Sequence, residues 1–192
     1  VIVGSSISAI ELLEQTYELD KEEGIEPLVD FSSVSGMGSD RKLALYGIAK
    51  EEILSTTPAS YIAILDFGTA TTLSIAQLDQ NRYSALGGAI MPGINAQIRI
   101  LKQLSPALNI PDTSTQNIYS GIGTNTASAI FQGIFVLPYK ALNHILPDNV
   151  KLYTTGGYST DMKKVLSQMG YSVNLRPTLV MDTIAGLATN QI

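Results

Sequence analysis

Three short stretches hold the residue types that could do chemistry. The first runs Ile64-Leu65-Asp66-Phe67-Gly68-Thr69-Ala70-Thr71-Thr72-Leu73-Ser74-Ile75. An apolar run from Tyr61 to Leu65 ends in an acid, a glycine and small hydroxyl residues follow, and apolar alternation resumes at Leu73 and Ile75. This pattern predicts strand, tight turn, strand. Gly68 has no Cβ, so another group can come close to its backbone. The threonine hydroxyls and N–H groups around it suit phosphate oxygens, and Asp66 at the strand end suits a cation. A polar hairpin, rich in Thr for its β-propensity, is the other reading of the same residues.

The second stretch is the small-residue loop Ser32 to Ser39 with Asp40-Arg41-Lys42 after it, leading into a helix through Leu43, Leu45 and Ile48. Free N–H groups at a helix start favour an anion. Asp40 is either a carboxylate with work to do or a first-turn residue complementing the dipole. Arg41 is either a ligand-holding cation or a solvated ion-pair partner. The third is Thr126, in the first turn of a helix predicted from about Asn125 to His144 with a kink at Pro138. Capping is the plain reading of Thr126. His144 is the only histidine and is assigned no chemistry.

Composition bounds what these residues can serve. The chain has 192 residues, 45% hydrophobic, with a net charge of -5, enough for one large domain or two small lobes. An acidic chain without a Lys/Arg cluster is a poor partner for nucleic acid or an anionic membrane. Without cysteine there is no disulfide framework, thiolate metal site or thiol nucleophile. Apolar runs fall well short of the ~20 residues a membrane span needs, and a cytoplasmic protein is expected. The start at Val1 has no basic leader pattern and no Met, and reads as the middle of a chain.

The elements that must position these residues alternate. We expect a strand at Val1–Val3, a helix from about Ala9 to Leu19 capped by Ser6 or Ser8, and a strand from Ile25 to Phe31. Ser55 to Pro58 reads as a connector. Three strands then follow to Ile90 and pair antiparallel, with a turn at Asp79-Gln80-Asn81. Gly87-Gly88 and Pro92-Gly93 lead into a helix from about Asn95 to Leu104. Asp112 to Gly123 reads as a loop. A strand at Val150–Thr154, a Gly156-Gly157 turn, a helix at Ser159–Met169 and a strand at Tyr171–Leu175 make a βαβ unit, and ligands on such sheets sit at the carboxyl ends of the strands. A last helix runs from Leu179 to Ala188. The fold class is α/β.

Taken together and in order, Gly38-Ser39-Asp40-Arg41, Asp66-Phe67-Gly68-Thr69-Ala70-Thr71-Thr72, Gly87-Gly88-Ala89-Ile90-Met91-Pro92-Gly93, Thr126 at a helix start and Thr155-Gly156-Gly157 resemble type III pantothenate kinase, the Bvg accessory factor family. The resemblance covers nearly the whole chain. It implies the two-lobed, ribonuclease-H-like fold of the actin, Hsp70 and sugar-kinase superfamily. Residues 1–57 would be the remainder of the N-terminal lobe and 58–192 the C-terminal lobe, with the last helix able to pack back on the first. It implies ATP-dependent phosphorylation of pantothenate to 4'-phosphopantothenate, with Mg2+ and with K+ or NH4+, in a homodimer. Asp40 would be the proton acceptor, and Gly38, Ser39 and Arg41 the rest of the substrate-binding loop. Asp66 would hold the monovalent cation, Gly68 and Thr69 would contact ATP, and Thr126 would line the pantothenate pocket, from across the dimer interface. Tyr119, Ile130 and Phe131 are the expected interface residues.

Three features differ from the family pattern. The Asp-x-Gly-Asn-Thr hairpin that opens the family and receives ATP phosphates and a divalent metal is not in this sequence. Phe31-Ser32-Ser33-Val34-Ser35-Gly36-Met37 stands where the family has Asn-Pro, and Ser74 stands where it has Asp. A kinase for another small hydroxyl substrate and a non-catalytic regulatory member are therefore the alternatives.

Overall fold

The computed structural model describes residues 11, 14, 27–108 and 121–189. The strand expected at Val1–Val3 and Tyr119 lie outside them. So do most of the helix expected from Ala9, of which Glu11 and Glu14 are described, both helical, and most of the 112–123 loop.

The described elements are β1 (Val29–Asp30), α1 (Ser39–Ile53), β2 (Tyr61–Phe67), β3 (Ala70–Asp79), β4 (Arg82–Pro92), α2 (Ile94–Leu104), α3 (Thr126–Phe131), α4 (Leu137–Lys140), α5 (Leu142–Ile145), β5 (Val150–Thr155), α6 (Ser159–Gln168), β6 (Val173–Leu175) and α7 (Leu179–Thr189). The strands form one sheet in the order β1-β4-β3-β2-β5-β6. β2, β3 and β4 pair antiparallel as expected, with Leu65 opposite Leu73 and Ser74 opposite Gly88. β5 joins β2 in parallel, with Asp66 opposite Thr155, and β6 joins β5 in parallel. β1 lies parallel to β4, with Val29 opposite Tyr83.

β2 is buried along most of its length because both faces of the sheet are covered. On one face, Ile62, Ile64, Tyr83 and Tyr153 pack with Leu43, Leu45 and Ile48 of α1. On the other, Leu65, Phe67, Leu73 and Ile75 pack with residues of α2, α6 and the segment after α3. α7 crosses α1 so closely that a Cβ on Gly47 would sit 2.1 Å from Thr183 Oγ1. Residues on either side of the 55–58 connector thus share one core.

That connector is tied down by Glu52, a side chain only 3% exposed. Its carboxylate accepts from Lys151 Nζ at 2.7 Å, from the Tyr153 hydroxyl and from the Ala59 N–H at 2.9 Å. Tyr83 in turn donates its hydroxyl to the Ala59 carbonyl at 2.6 Å. One buried acid therefore joins the end of α1, the start of β2 and β5.

The single helix expected from Asn125 to His144 is instead α3, a π-helical segment Gln132–Val136, α4 and α5. Pro138 explains the break: it has no N–H for the carbonyl four residues earlier and its ring crowds that turn, so the preceding turn widens. The widened turn directs Phe131 inward, stacked on Phe135 at 4.9 Å and buried in the chain's own core. Of the residues expected at an interface, Phe131 is thus buried and Ile130 half-buried within the chain.

Candidate active site

The site is built where the carboxyl ends of β2 and β5 meet the start of α1. Asp66 ends the apolar core run of β2, and its neighbours in register are Thr72 of β3 and Thr155 of β5. Phe67 turns into the opposite core layer, which leaves the half-buried Asp66 on the α1 side. Gly68 and Thr69 form the turn into β3 and are exposed. The turn closes with the Gly68 N–H on the Ala70 carbonyl at 3.1 Å.

Two further glycines hold that turn in place. Gly93 donates its N–H to the Thr69 carbonyl at 3.1 Å. A Cβ there would stand 2.4 Å from that oxygen and 2.5 Å from the Gly68 carbonyl oxygen. Gly156 has φ +86, and a Cβ there would stand 2.5 Å from Asp66 Oδ1. Only a bare backbone can approach this closely. The Asp66 carboxylate therefore rests on the glycine turn that leaves β5.

Across the cleft stands α1. Its first turn carries Asp40, exposed, and its N-cap Gly38 offers no side-chain cap. Arg41, next in sequence, grips β3. Its Nε donates to Ser74 Oγ at 2.9 Å and its Nη2 to the Leu73 carbonyl at 2.9 Å. Burial lowers the Arg41 pKa, but a guanidinium keeps its charge in such surroundings. The loop leading into Asp40 is itself held on β4, where Ser33 Oγ donates to the Ala85 carbonyl at 2.6 Å and Met37 is buried.

Asp40 and Asp66, far apart in the chain, thus lie near enough for their charges to interact. Burial raises the Asp66 pKa first, and the nearby Asp40 carboxylate raises it further. A desolvated carboxylate beside a second acid and several backbone carbonyls fits a hard cation with oxygen ligands. Among the described residues no group of three or more His, Cys, Asp or Glu side chains could hold a metal, so such an ion would draw on carbonyls, water or ligand oxygens.

Thr126 is not part of this cleft. Asn125 is the cap of α3: its Oδ1 accepts from the Ser128 N–H at 2.9 Å, and Ser128 Oγ accepts from its N–H at 3.1 Å. Thr126 is exposed and lines an apolar cavity of about 660 Å³ with Gln97, Ile100, Leu101 and Ile130. That cavity is on the α2 side of the sheet. Sequence reasoning marked Ser74 only as standing where the family has Asp, and Gly88 only as part of a Gly87-Gly88 pair that allows a close approach without saying of what.

The sheet order and an acid at the end of its central strand define the class: this is an α/β protein of the actin, Hsp70 and sugar-kinase type. Within that class the chain belongs to the type III pantothenate kinase family, whose profile matches residues 5–147. Type III pantothenate kinase of Gluconobacter oxydans is 34% identical over 112 residues, which is 58% of this chain and 37% of that protein. The enzyme of the same name from Nitratidesulfovibrio vulgaris is 28% identical over 154 residues, 76% of this chain and 54% of its own length. The chain thus spans between about a third and a half of such relatives. In fold it is similar to a Baf family protein of Campylobacter jejuni, with a TM-score of 0.60 and 22% identity over 85% of this chain and 69% of that one. No helix among the described residues is long and apolar enough to cross a membrane.

Proposed function

We propose that this protein transfers the γ-phosphoryl group of ATP to pantothenate, giving 4'-phosphopantothenate, the first step towards coenzyme A. The observation that carries this reading is the half-buried Asp66 at the Gly68–Thr69 turn, with the Asp40 charge near it, in a chain of this family. Asp40 takes the proton of the attacking hydroxyl as its oxygen bonds to phosphorus and the bond to the ADP oxygen breaks. Because the transition state is loose, the hydroxyl loses its proton late, and the base has chiefly to be near it. Gly38 and Ser39 shape the substrate loop, and Arg41 adds positive charge beside substrate oxygens. Gly68 and Thr69 meet the nucleotide. Asp66 holds K+ or NH4+, which spreads phosphate charge, and Mg2+ comes with the nucleotide. Thr126 lines the pantothenate pocket from across a dimer interface, a reading supported by its exposure on the α2 side. The protein works in the cytoplasm. The division into an N-terminal lobe at residues 1–57 and a C-terminal lobe at 58–192 belongs to this reading too.

The test is an assay of the complete protein with ATP, Mg2+, K+ and pantothenate. Pantothenate-dependent ADP formation that requires K+ is expected. ADP formation only with another hydroxyl compound would transfer the reading to that substrate. No turnover with any acceptor would make this a non-catalytic member.

A further inference from the structure

We propose that Ser74 is a positioning residue: its hydroxyl and the Leu73 carbonyl clamp the Arg41 guanidinium to β3, and that clamp sets the first turn of α1, with Asp40 on it, beside Asp66. Ser74 is only 2% exposed, and its Oγ is the acceptor for Arg41 Nε at 2.9 Å. The Leu73 carbonyl takes Nη2 at the same distance. Two donors on one edge of a planar group fix its direction as well as its place. The N-cap Gly38 adds no side-chain cap to this anchor.

The facing strand is kept bare for the guanidinium. Gly88 lies opposite Ser74 in the register. A Cβ on it would stand 1.9 Å from the Leu73 carbonyl oxygen and 3.0 Å from Arg41 Nη2, and its φ is +151. Both acceptors are neutral, so the clamp holds the cation without cancelling its charge. Arg41 can therefore serve as fixture and as positive charge at once. Asp40 is adjacent in sequence, so the clamp acts on the same first turn that carries the base.

The kinetic half of this proposal rests on the functional reading above, and the experiment has an arm that does not. In the complete protein assayed with ATP, Mg2+, K+ and pantothenate, Ser74→Ala should lower kcat about tenfold, the size expected for a lost hydrogen bond to a charged group, with KM for ATP within about twofold of wild type. Ser74→Thr, which keeps the hydroxyl, should restore most of kcat. Arg41→Lys removes the two-point grip, so adding Ser74→Ala to it should cost less than about twofold more. Independent, multiplying losses would overturn the clamp, as would a Ser74→Ala enzyme with normal kcat and a lowered Tm. The second arm is NMR of the arginine Nε–H groups. The Arg41 Nε–H should exchange slowly in the wild type and at the solvent rate in Ser74→Ala. Fast exchange in the wild type overturns the proposal even if the variant does not fold. If the wild type phosphorylates nothing, the functional reading fails while this arm still decides the clamp.

Discussion

Asp40 separates a base from an ornament of the helix dipole. As a base, its replacement by Asn should lower kcat by about 10²–10⁴-fold while folding and nucleotide binding persist. As a dipole partner it would cost about 0.3–1 kcal/mol of stability and leave turnover nearly intact. Steady-state kinetics beside a thermal melt tells the two apart. Asp66 has a sign that can be worked out. Its pKa is raised in the folded state by burial and by Asp40, from an ordinary 3.8. A raised carboxyl pKa lends stability below the unfolded value, and that stability is lost as pH rises through the folded value. In buffer free of K+ and NH4+, Asp66→Asn should therefore raise Tm at neutral pH, with the gain fading as pH falls to about 3.8 and below. The same change should abolish potassium dependence and most activity. A variant whose activity still responds normally to potassium would give Asp66 a structural role. Asp66 was legible in the sequence because an acid ends an apolar run before glycine. The part of Ser74 was not: the sequence marks it as a departure from the family's Asp without naming its partner, and Arg41 is 33 positions away.

Among the elements, the turns are set by glycines that meet backbone rather than side chains. Gly93→Ala would drive a methyl group into the carbonyls of Gly68 and Thr69, which cannot rotate aside as a side chain can. The cost should be at least the 1–3 kcal/mol typical of overpacking, and the displaced turn should weaken ATP binding together with stability. Denaturant titration and nucleotide binding on one variant check both. Gly47→Ala meets Thr183 Oγ1 instead, so its penalty should fall on the α1–α7 contact and spare ATP binding. The strands and most helices were legible because their apolar periods are clean. The π segment was not, since Pro138 announces a kink without saying whether the turn before it widens or breaks. The cap of α3 was misassigned by one residue, because Asn125 and Thr126 are both good capping types and only the Ser128 partner chooses between them.

For the molecule as a whole, Glu52 is the residue on which distant parts depend. Burial pushes its pKa up, but bonds from Lys151, Tyr153 and the Ala59 N–H outweigh that and leave it lowered. A lowered carboxylate pKa gives stability above the unfolded value, lost as pH falls through the folded one. Acid unfolding should thus be delayed in the wild type and set in at higher pH in Glu52→Gln. Removing the carboxylate should cost about 1.5–3 kcal/mol at neutral pH, the size of a lost hydrogen bond to a charged group, because Lys151 keeps access to water; chemical denaturation at pH 7 and pH 4 reads both. The packing across the connector at 55–58 was not legible, because the contact of α1 with the sheet that follows it is made between residues distant in the chain.

The register of β2 also sets the order in which the chain can fold. One neighbour, β3, is reached across a two-residue turn; the other, β5, pairs Val150 with Tyr61. Closing the long loop costs more entropy and comes later. The β2–β3–β4 meander should form first. Leu73→Ala should then slow folding nearly in proportion to its destabilisation, and Leu152→Ala should mainly speed unfolding; both side chains are buried, and stopped-flow chevrons distinguish them. A chain leaving the ribosome would carry Asp66 and its turn before the strand that brings Gly156 has been made. Until then the long apolar β2 is an open edge, and an edge of that kind recruits other chains. Slow translation of residues 94–149 would prolong that exposure, and aggregation would rise even though the finished protein is unchanged.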